Sequence, residues 1–347
     1  MRLRTLAPVV LALVAGVLAI AACGEDDPRT LTVITHDSFN LSDELMRQFE
    51  EENDVTVRLL PKGDAGAMLT SLILTRRNPE GDLAFGVDNS FLSRALLEGV
   101  FEEYESPLLA RVPSNLRPAS SFVTPVDYGY VNFNYDIGWF EANGVEPPET
   151  LEDMLKPEYR GLVVVSNPAS SSPGLAFLMA TIEYFGEDQY LNWWRGMREN
   201  GLVVVDGWST AYYTNFTRAG GGQPIVLSYA TSPAFEQIFA DPPQDEAPTA
   251  NILPRLGVFR QVEYAGILAG TRNRELAEKF IDFLLSVPVQ EDIPGQMAVY
   301  PVNQDAAVPD AFTRFSQVDV EVAEMTPERI ADGRQRWIDE WTREVLR

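Results

Sequence analysis

An α/β fold of two lobes joined by a hinge is what the sequence predicts, and three observations predict it. Strand-like and helix-like segments alternate in two series, over 31–99 and again from 161 to about 234. An extended aromatic stretch, 122–135, separates the series, and a second crossing near 250–258 brings the chain back. Alternating strands and helices imply a parallel sheet with helices on both faces. Two such units tied by long crossings suit closure about a hinge.

The first series opens with Leu31–Thr35, a β-rich run. Leu41, Leu45 and Phe49 recur at helical spacing and predict a helix over 41–52. Val55–Leu60 is a second strand. Met68, Leu69, Leu72 and Ile73 predict a second helix, stopped by Asn78-Pro79-Glu80-Gly81. Asp82–Gly86 is a short strand and Phe91–Leu97 a helix closed by Gly99. Residues 122–135 are too long for one ordinary strand, and Pro125 and Gly129 permit a bend. In the second series Gly161–Ser166 is a strand, Leu175–Phe185 and Gln189–Arg198 are helices, and Leu202–Asp206 is a strand. Ser209–Arg218 is a helix ended by three glycines, and Pro224–Tyr229 is a strand leading to a helix start at Ser232-Pro233. Residues 241–248 form an exposed acidic loop, and Val258–Tyr264 is extended. Three helices close the chain, near 274–286, 288–293 and 326–345; Thr326-Pro327 caps the last, and its Trp337 and Trp341 pack in the core.

Charge narrows the partners. The chain has 347 residues with 27 Lys+Arg against 51 Asp+Glu, a net charge of −24. Such a surface repels phosphate backbones, so no nucleic acid is expected to bind. One His and one Cys exclude an internal disulfide framework and a Cys-rich zinc site. No metal and no cofactor are expected.

The first residues read as a leader. Arg2 and Arg4 precede an apolar run from Leu6 to Ala22, and Ile20-Ala21-Ala22 leads into the sole cysteine, Cys23. A basic start, an apolar middle and small residues before a cut make an export signal over 1–22. The run is also just long enough for an uncleaved anchor, but the small pair directly before Cys23 favours cleavage and lipidation of that residue. Residues 23–30 then form a polar tether.

Catalytic signatures are absent: there is no G-x-S-x-G elbow, Walker A loop, H-E-x-x-H or G-x-G-x-x-G after a strand. Asp82 and Asp88 read as strand-end or solvated acids rather than a catalytic pair. His36 reads as a local hydrogen-bonding group or a ligand contact. The distinctive loops are His36–Phe39, Gly63–Gly66, Asn167–Gly174, Gly207–Ser209 and Ser228–Pro233, all at predicted strand ends. Ligands of open parallel sheets bind there. Helix N-termini in these loops accept an anion or a carbonyl. Trp208, Tyr229 and Phe235 supply aromatic faces, and Asp64 can pair with a cation. Together they suit a cationic aromatic ligand, with or without a phosphate.

The chain from Leu31 onward resembles the substrate-binding lipoproteins of bacterial thiamine ABC transporters, within the group that binds iron, polyamines and thiamine. Asp37-Ser38-Phe39, Pro125–Tyr130, Ser172-Pro173-Gly174-Leu175, Gly207-Trp208-Ser209, Val226–Ala234 and Arg334–Trp341 carry the resemblance. It implies a type II periplasmic-binding-protein-like fold, with lobe 1 at 31–125 plus 256–300 and lobe 2 at 126–255 plus 301–347. It implies thiamine, thiamine monophosphate or thiamine diphosphate as ligand, an ABC permease as partner, and a lipid-anchored monomer on the extracytoplasmic face. The contacts it implies are Asp64, Ala65, Ser171, Ser172, Trp208, Tyr229, Ala230, Thr231 and Ser232. His36 and Phe235 stand where the pattern has Tyr, and Ala298 where it often has Trp. An iron(III) or polyamine binder of the same fold is the near alternative, with Tyr212-Tyr213 as adjacent tyrosines. An enzyme acting on thiamine or its breakdown products is the distant one, but the only Cys lies in the leader.

The leader yields the first test. Cys23→Ser should release the protein from membranes, since stable anchoring by acyl chains needs that attachment point. Membrane fractionation checks it; a variant that stays membrane-bound would mark the leader as an uncleaved anchor.

Overall fold

The computed structural model describes residues 29–347. The leader and Cys23 lie outside the described residues, and the expected tether ends inside the first strand. In chain order the first elements are β1 (Arg29–Thr35), α1 (Asp43–Asn53), β2 (Val55–Pro61), α2 (Ala65–Thr75), β3 (Leu83–Asp88), α3 (Leu92–Leu97) and β4 (Phe101–Glu102). Next come β5 (Thr124–Asp136), α4 (Ile137–Asn143), β6 (Val163–Ser166), α5 (Ser172–Phe185), α6 (Tyr190–Glu199), β7 (Val203–Val205) and α7 (Trp208–Thr210). The chain continues through β8 (Ile225–Tyr229), α8 (Ser232–Ile238), β9 (Thr249–Ile252) and β10 (Phe259–Leu268). It closes with α9 (Arg274–Leu284), α10 (Val287–Met297), β11 (Tyr300–Pro301), α11 (Asp310–Phe315) and α12 (Pro327–Val345).

The strands join in the order β2-β1-β3-β10-β5-β8-β6-β7. β2, β1 and β3 are parallel, as are β8, β6 and β7. Between these blocks β10 and β5 run antiparallel to each other and to their outer neighbours. Each parallel block is thus one alternating series of the sequence, and the two crossings are the antiparallel pair between them. One core gathers Leu31, Val33, Phe49, Phe85 and Phe280 around the first block. Another holds Phe133, Phe177, Trp194 and Trp341. Trp337 and Trp341 are buried, and Trp341 meets Trp194 edge-on at 5.5 Å. Large rings packed this way bury much apolar area per residue.

Three elements depart from expectation. The stretch over 122–135 is one strand of 13 residues, not two pieces. Its bend is absorbed by a bulge: Glu263 pairs with Asp127 and Tyr264 with Pro125, so Val126 is the extra residue. Ser209–Arg218 is not a continuous helix. It breaks into α7, a wide π-type turn over Ala211–Asn215 and a 3-10 turn over Thr217–Ala219. Two tyrosines, Thr214 and Asn215 favour a helix weakly. The helix expected near 288–293 runs past Pro294 to Met297 and stops where Ala298 turns left-handed (φ 59°).

The bulge at Val126 has a dedicated partner. Gln290 of α10 is fully buried, and its side-chain N–H group donates to the carbonyls of Val126 (2.9 Å) and Leu284 (2.7 Å). Its carbonyl accepts from the amides of Val302 (2.8 Å) and Asn303 (2.9 Å). One side chain thereby satisfies four backbone groups from three segments. Gln290→Leu keeps the volume and orphans all four, at about 1–3 kcal/mol for a buried group left unpaired. Urea unfolding should show a loss of at least about 3 kcal/mol; a loss under about 1 kcal/mol would mean that water replaces the amide.

Candidate ligand-binding cleft

The strands of both parallel blocks end at one cleft, with a cavity of about 210 Å³. His36-Asp37 follow β1, Gly63-Asp64 follow β2, Ser170, Ser172 and Pro173 follow β6, Asp206–Thr210 follow β7, and Tyr229 ends β8. Glu263 of β10, with Met297 and Val299, lines it as well. A second cavity of about 400 Å³ adjoins it, sharing Trp208 and Met297 and adding Phe39, Tyr213, Phe235 and Ala298.

Asp64 is the N-cap of α2. One carboxylate oxygen accepts from its neighbour's amide, Ala65 N (2.7 Å), and from Ser172 N at the start of α5 (3.4 Å). The other accepts from Trp208 N (2.9 Å). A carboxylate at converging helix starts is favoured by the unpaired amides and dipoles there. Beside it, Gly66 N donates to Ser170 O (2.9 Å). A methyl group on Gly66 would lie 2.9 Å from the carbonyl oxygen of Ala169, so only glycine lets the two segments approach this closely.

Trp208 forms one wall. Its indole N–H donates to Ser228 Oγ (2.8 Å), which also bonds Ser232 Oγ (2.9 Å). Its ring stacks on Tyr212 (5.1 Å, 22°) and meets Tyr229 edge-on (6.1 Å, 63°). The indole is only partly buried, so one face remains open to the cleft. The widened turn after α7 is what sets Tyr212 beneath Trp208.

Under the cleft lies a row of acids. Across β3, β10 and β5, Glu263 pairs directly with Asp88 on one side and Asp127 on the other. Two bulges allow this register: Val126 in β5, and Gly86 in β3 at φ 104°. A side chain at Gly86 would strike His36, whose Cδ2 lies 2.1 Å from the position of a Cβ. His36 Nδ1 accepts from Ser38 N (3.0 Å) and its Nε2 faces Glu263 at 3.3 Å. Burial opposes a charge on His36, but Glu263, through charge and hydrogen bond, with Asp64 and Asp37, outweighs it and raises the pKa. Burial pushes Asp88 up to about 6, against the hydrogen bonds donated by Ser172 and Ser90. Burial and the neighbouring Glu263 hold Asp127 well above the ordinary carboxylate range. Neither oxygen of Asp127 has a donor among the described residues. A proton on Asp127 supplies one, toward Glu263, and relieves like charges set directly across strands.

The residues expected at the site fall into two groups. His36, Asp64, Ser172, Trp208 and Tyr229 line the cavity together. The others stand behind it. Ala65 and Ala230 are buried. Ser171 donates to Ser166 Oγ (2.8 Å), Thr231 to the carbonyl of Ala298, and Ser232 supports Ser228. Phe235 lines the adjoining cavity against Phe239. Glu263, Asp206 and Met297 were not anticipated. Glu263 carried a signal: it is a lone acid in the otherwise uncharged run Gln261–Leu268. Asp82 and Asp88 do stand at the two ends of β3, but buried: Asp82 accepts from Thr32 N (2.8 Å) and Thr271 (2.7 Å).

Residues 79–317 match the family described as bacterial extracellular solute-binding proteins. That span covers most of the chain. The chain belongs to this family. The thiamine-binding periplasmic protein of Salmonella typhimurium is 32% identical, covering 91% of this chain and 94% of its own. That of Escherichia coli is 31% identical with the same coverage. A solved periplasmic thiamin binding protein superposes with a TM-score of 0.80 at 30% identity, covering 92% of this chain and 96% of its own. An iron-bound neighbour at 18% identity, covering 90% of this chain and 99% of its own, shares the fold with a TM-score of 0.72.

In this solute-binding protein the acid row sets a pH dependence. Asp88 has a higher pKa folded than its ordinary 3.8, so the folded state binds more protons between 3.8 and about 6. Its stabilising effect is full below the lower value and lost as pH rises through the higher one. Asp127 and His36, both raised, act with the same sign. At neutral pH the ionised Asp88 costs the fold on the order of 3 kcal/mol. Asp88→Asn should flatten the fall in melting temperature between pH 3.8 and about 6, measured by thermal unfolding. An unchanged slope would show that Asp88 ionises without penalty.

Proposed function

We propose that this protein captures thiamine outside the cytoplasm and delivers it to the permease of an ABC importer. The observation that carries the reading is the Trp208 wall facing a cleft lined by Asp37, Asp64, Asp206 and Glu263. A thiazolium is a permanent cation whose charged nitrogen has no N–H. Hydrogen bonds to that atom are impossible, so aromatic faces and carboxylates must stabilise it. Trp208, held from behind by Ser228 and Tyr212, offers such a face. The aminopyrimidine ring can take polar contacts from the serines of the rim. The thiamine-binding names and coverage of its relatives support the same ligand.

Their periplasmic names support an extracytoplasmic site of action, and the leader with Cys23 supports a lipid anchor there. No helix among the described residues is long and apolar enough to cross a membrane. We read lobe 1 as 31–125 with 256–300 and lobe 2 as 126–255 with 301–347, closing about β5 and β10. The iron(III) alternative gains little. Tyr212 donates its hydroxyl to Glu236, Tyr213 is exposed, and no group of three or more His, Cys, Asp or Glu among the described residues is placed to hold a metal.

Trp208→Ala should weaken thiamine binding roughly ten- to thirtyfold by calorimetric titration, the equivalent of about 2 kcal/mol for a desolvated cation–π contact. Scattering through the same titration should show a smaller radius at saturation. Full-strength binding by a folded Trp208→Ala protein would overturn the assignment of the cleft, and an unchanged radius the closure.

A further inference from the structure

Resting on the thiamine reading, we propose that His36 is the cleft's own cation: it pairs with Glu263 while the cleft is empty and yields a proton to solvent when the cationic ligand arrives, so that capture and proton release are coupled. His36 is the only histidine of the chain, and it is buried in the wall of the cavity. Its Nε2 faces Glu263 Oε1 at 3.3 Å and has no other partner among the described residues. The ring packs against Phe85 and over Gly86, which holds it toward Glu263. The acids around it favour a positive charge as well. Asp37 follows it directly, and Asp64 faces it from the start of α2. Asp88 of β3 and Asp127 of β5 flank Glu263 on either side. Asp206, after β7, is a further acid in the lining, and burial keeps Tyr229, at the end of β8, a neutral phenol. Neither Lys nor Arg lines the cavity. Among the described residues of the lining, the imidazole is the one side chain able to become a cation.

The hydrogen bonds of the ring tie its proton count to the state of the cleft. Nδ1 accepts from Ser38 N (3.0 Å), so it carries no proton here. The single proton of the neutral ring therefore sits on Nε2, toward Glu263. An imidazolium carries N–H at both nitrogens. A second proton goes to Nδ1, faces the Ser38 amide and turns it away. Ser38 also reaches across the cleft, where its hydroxyl bonds Ser209 Oγ (3.2 Å) in the loop after β7. Protonation thus opposes capture twice. It sets a competing cation on Glu263, and it loosens the loop that bridges to Ser209. A permanent cation beside Glu263 works in reverse: it expels the proton from Nδ1 and restores the Ser38 bond. Burial works against a charge on the ring, but Glu263, Asp64 and Asp37 outweigh it, which places the exchange above pH 6.5.

The test is calorimetric titration of the purified protein with thiamine at about pH 7, in phosphate and in Tris, buffers whose heats of ionisation differ. The apparent enthalpies should differ by the amount that corresponds to release of up to about one proton per thiamine. Affinity should rise from about pH 6 to about pH 8, by at most about tenfold per unit. His36→Gln keeps an N–H for Glu263 and cannot take up a second proton. It should lose the release, bind thiamine more tightly than the unaltered protein at about pH 6, and match it at about pH 8. A residue that only packs the cleft would, when replaced, weaken binding at every pH. His36→Asn, which keeps an acceptor for Ser38, should lose the release too. Equal enthalpies in the two buffers would overturn the coupling and leave the thiamine reading standing. Release that persists in both variants would assign the proton to the acid row and overturn the role of His36. Absence of thiamine binding at every pH would overturn the thiamine reading and this inference with it.

Discussion

The site depends on one carboxylate. Asp64 caps α2 from within the first block and accepts amides from the segments that follow β6 and β7 in the second. Without a negative group there, the starts of α2 and α5 and the Trp208 loop would present positive ends to one another across a narrow gap. With it, three segments from two parts of the sheet share one acceptor, and Trp208 is fixed by its backbone as well as by its indole. The close approach of Gly66 to Ser170 follows from the same meeting.

The floor of the cleft obeys a different constraint. Placing Glu263 between Asp88 and Asp127 across adjacent strands brings three acids into a buried row. Like charges in that arrangement repel, and water is not there to screen them. The structure answers by raising the proton affinity of the flanking acids and by setting His36 against the central one. Glu263 thereby keeps its side chain at the cleft, where a cationic ligand can use it. The bulges at Gly86 and Val126 are the geometric condition for this row, and Gln290 satisfies the carbonyl that the second bulge releases.

Trp208 and Glu263 of the acid row line the same cleft. The cation–π face is sequence-local, built by Trp208 and the tyrosine one widened turn later. The carboxylates come from β1, β2, β7 and β10 ends or interiors, far apart in the chain. Ala298, at the end of α10, leaves the neighbouring space open toward Phe235 and Tyr213 instead of closing it with a ring. The cleft therefore relies on one strong aromatic wall and on charge.

The sequence alone determined the alternation of elements, because apolar spacing of 3.6 and 2.0 residues is written locally. It also marked the loops at strand ends, where turn and capping residues cluster, and His36, Asp64, Ser172, Trp208 and Tyr229 of those loops line the cavity. It did not show that Ser171, Ala230, Thr231 and Ser232 stand behind the wall, since facing and backing residues of one loop look alike in sequence. The break in 209–218 was only faintly legible, as low helix propensity over Tyr212–Asn215 beside the local stacking of Tyr212 on Trp208. Only the tertiary structure decided the role of Asp64, which depends on amides 108 and 144 residues away. The acid row was equally out of reach. Register between β3, β10 and β5 is set by two single-residue bulges, and a one-residue slip sends a side chain to the opposite face of the sheet.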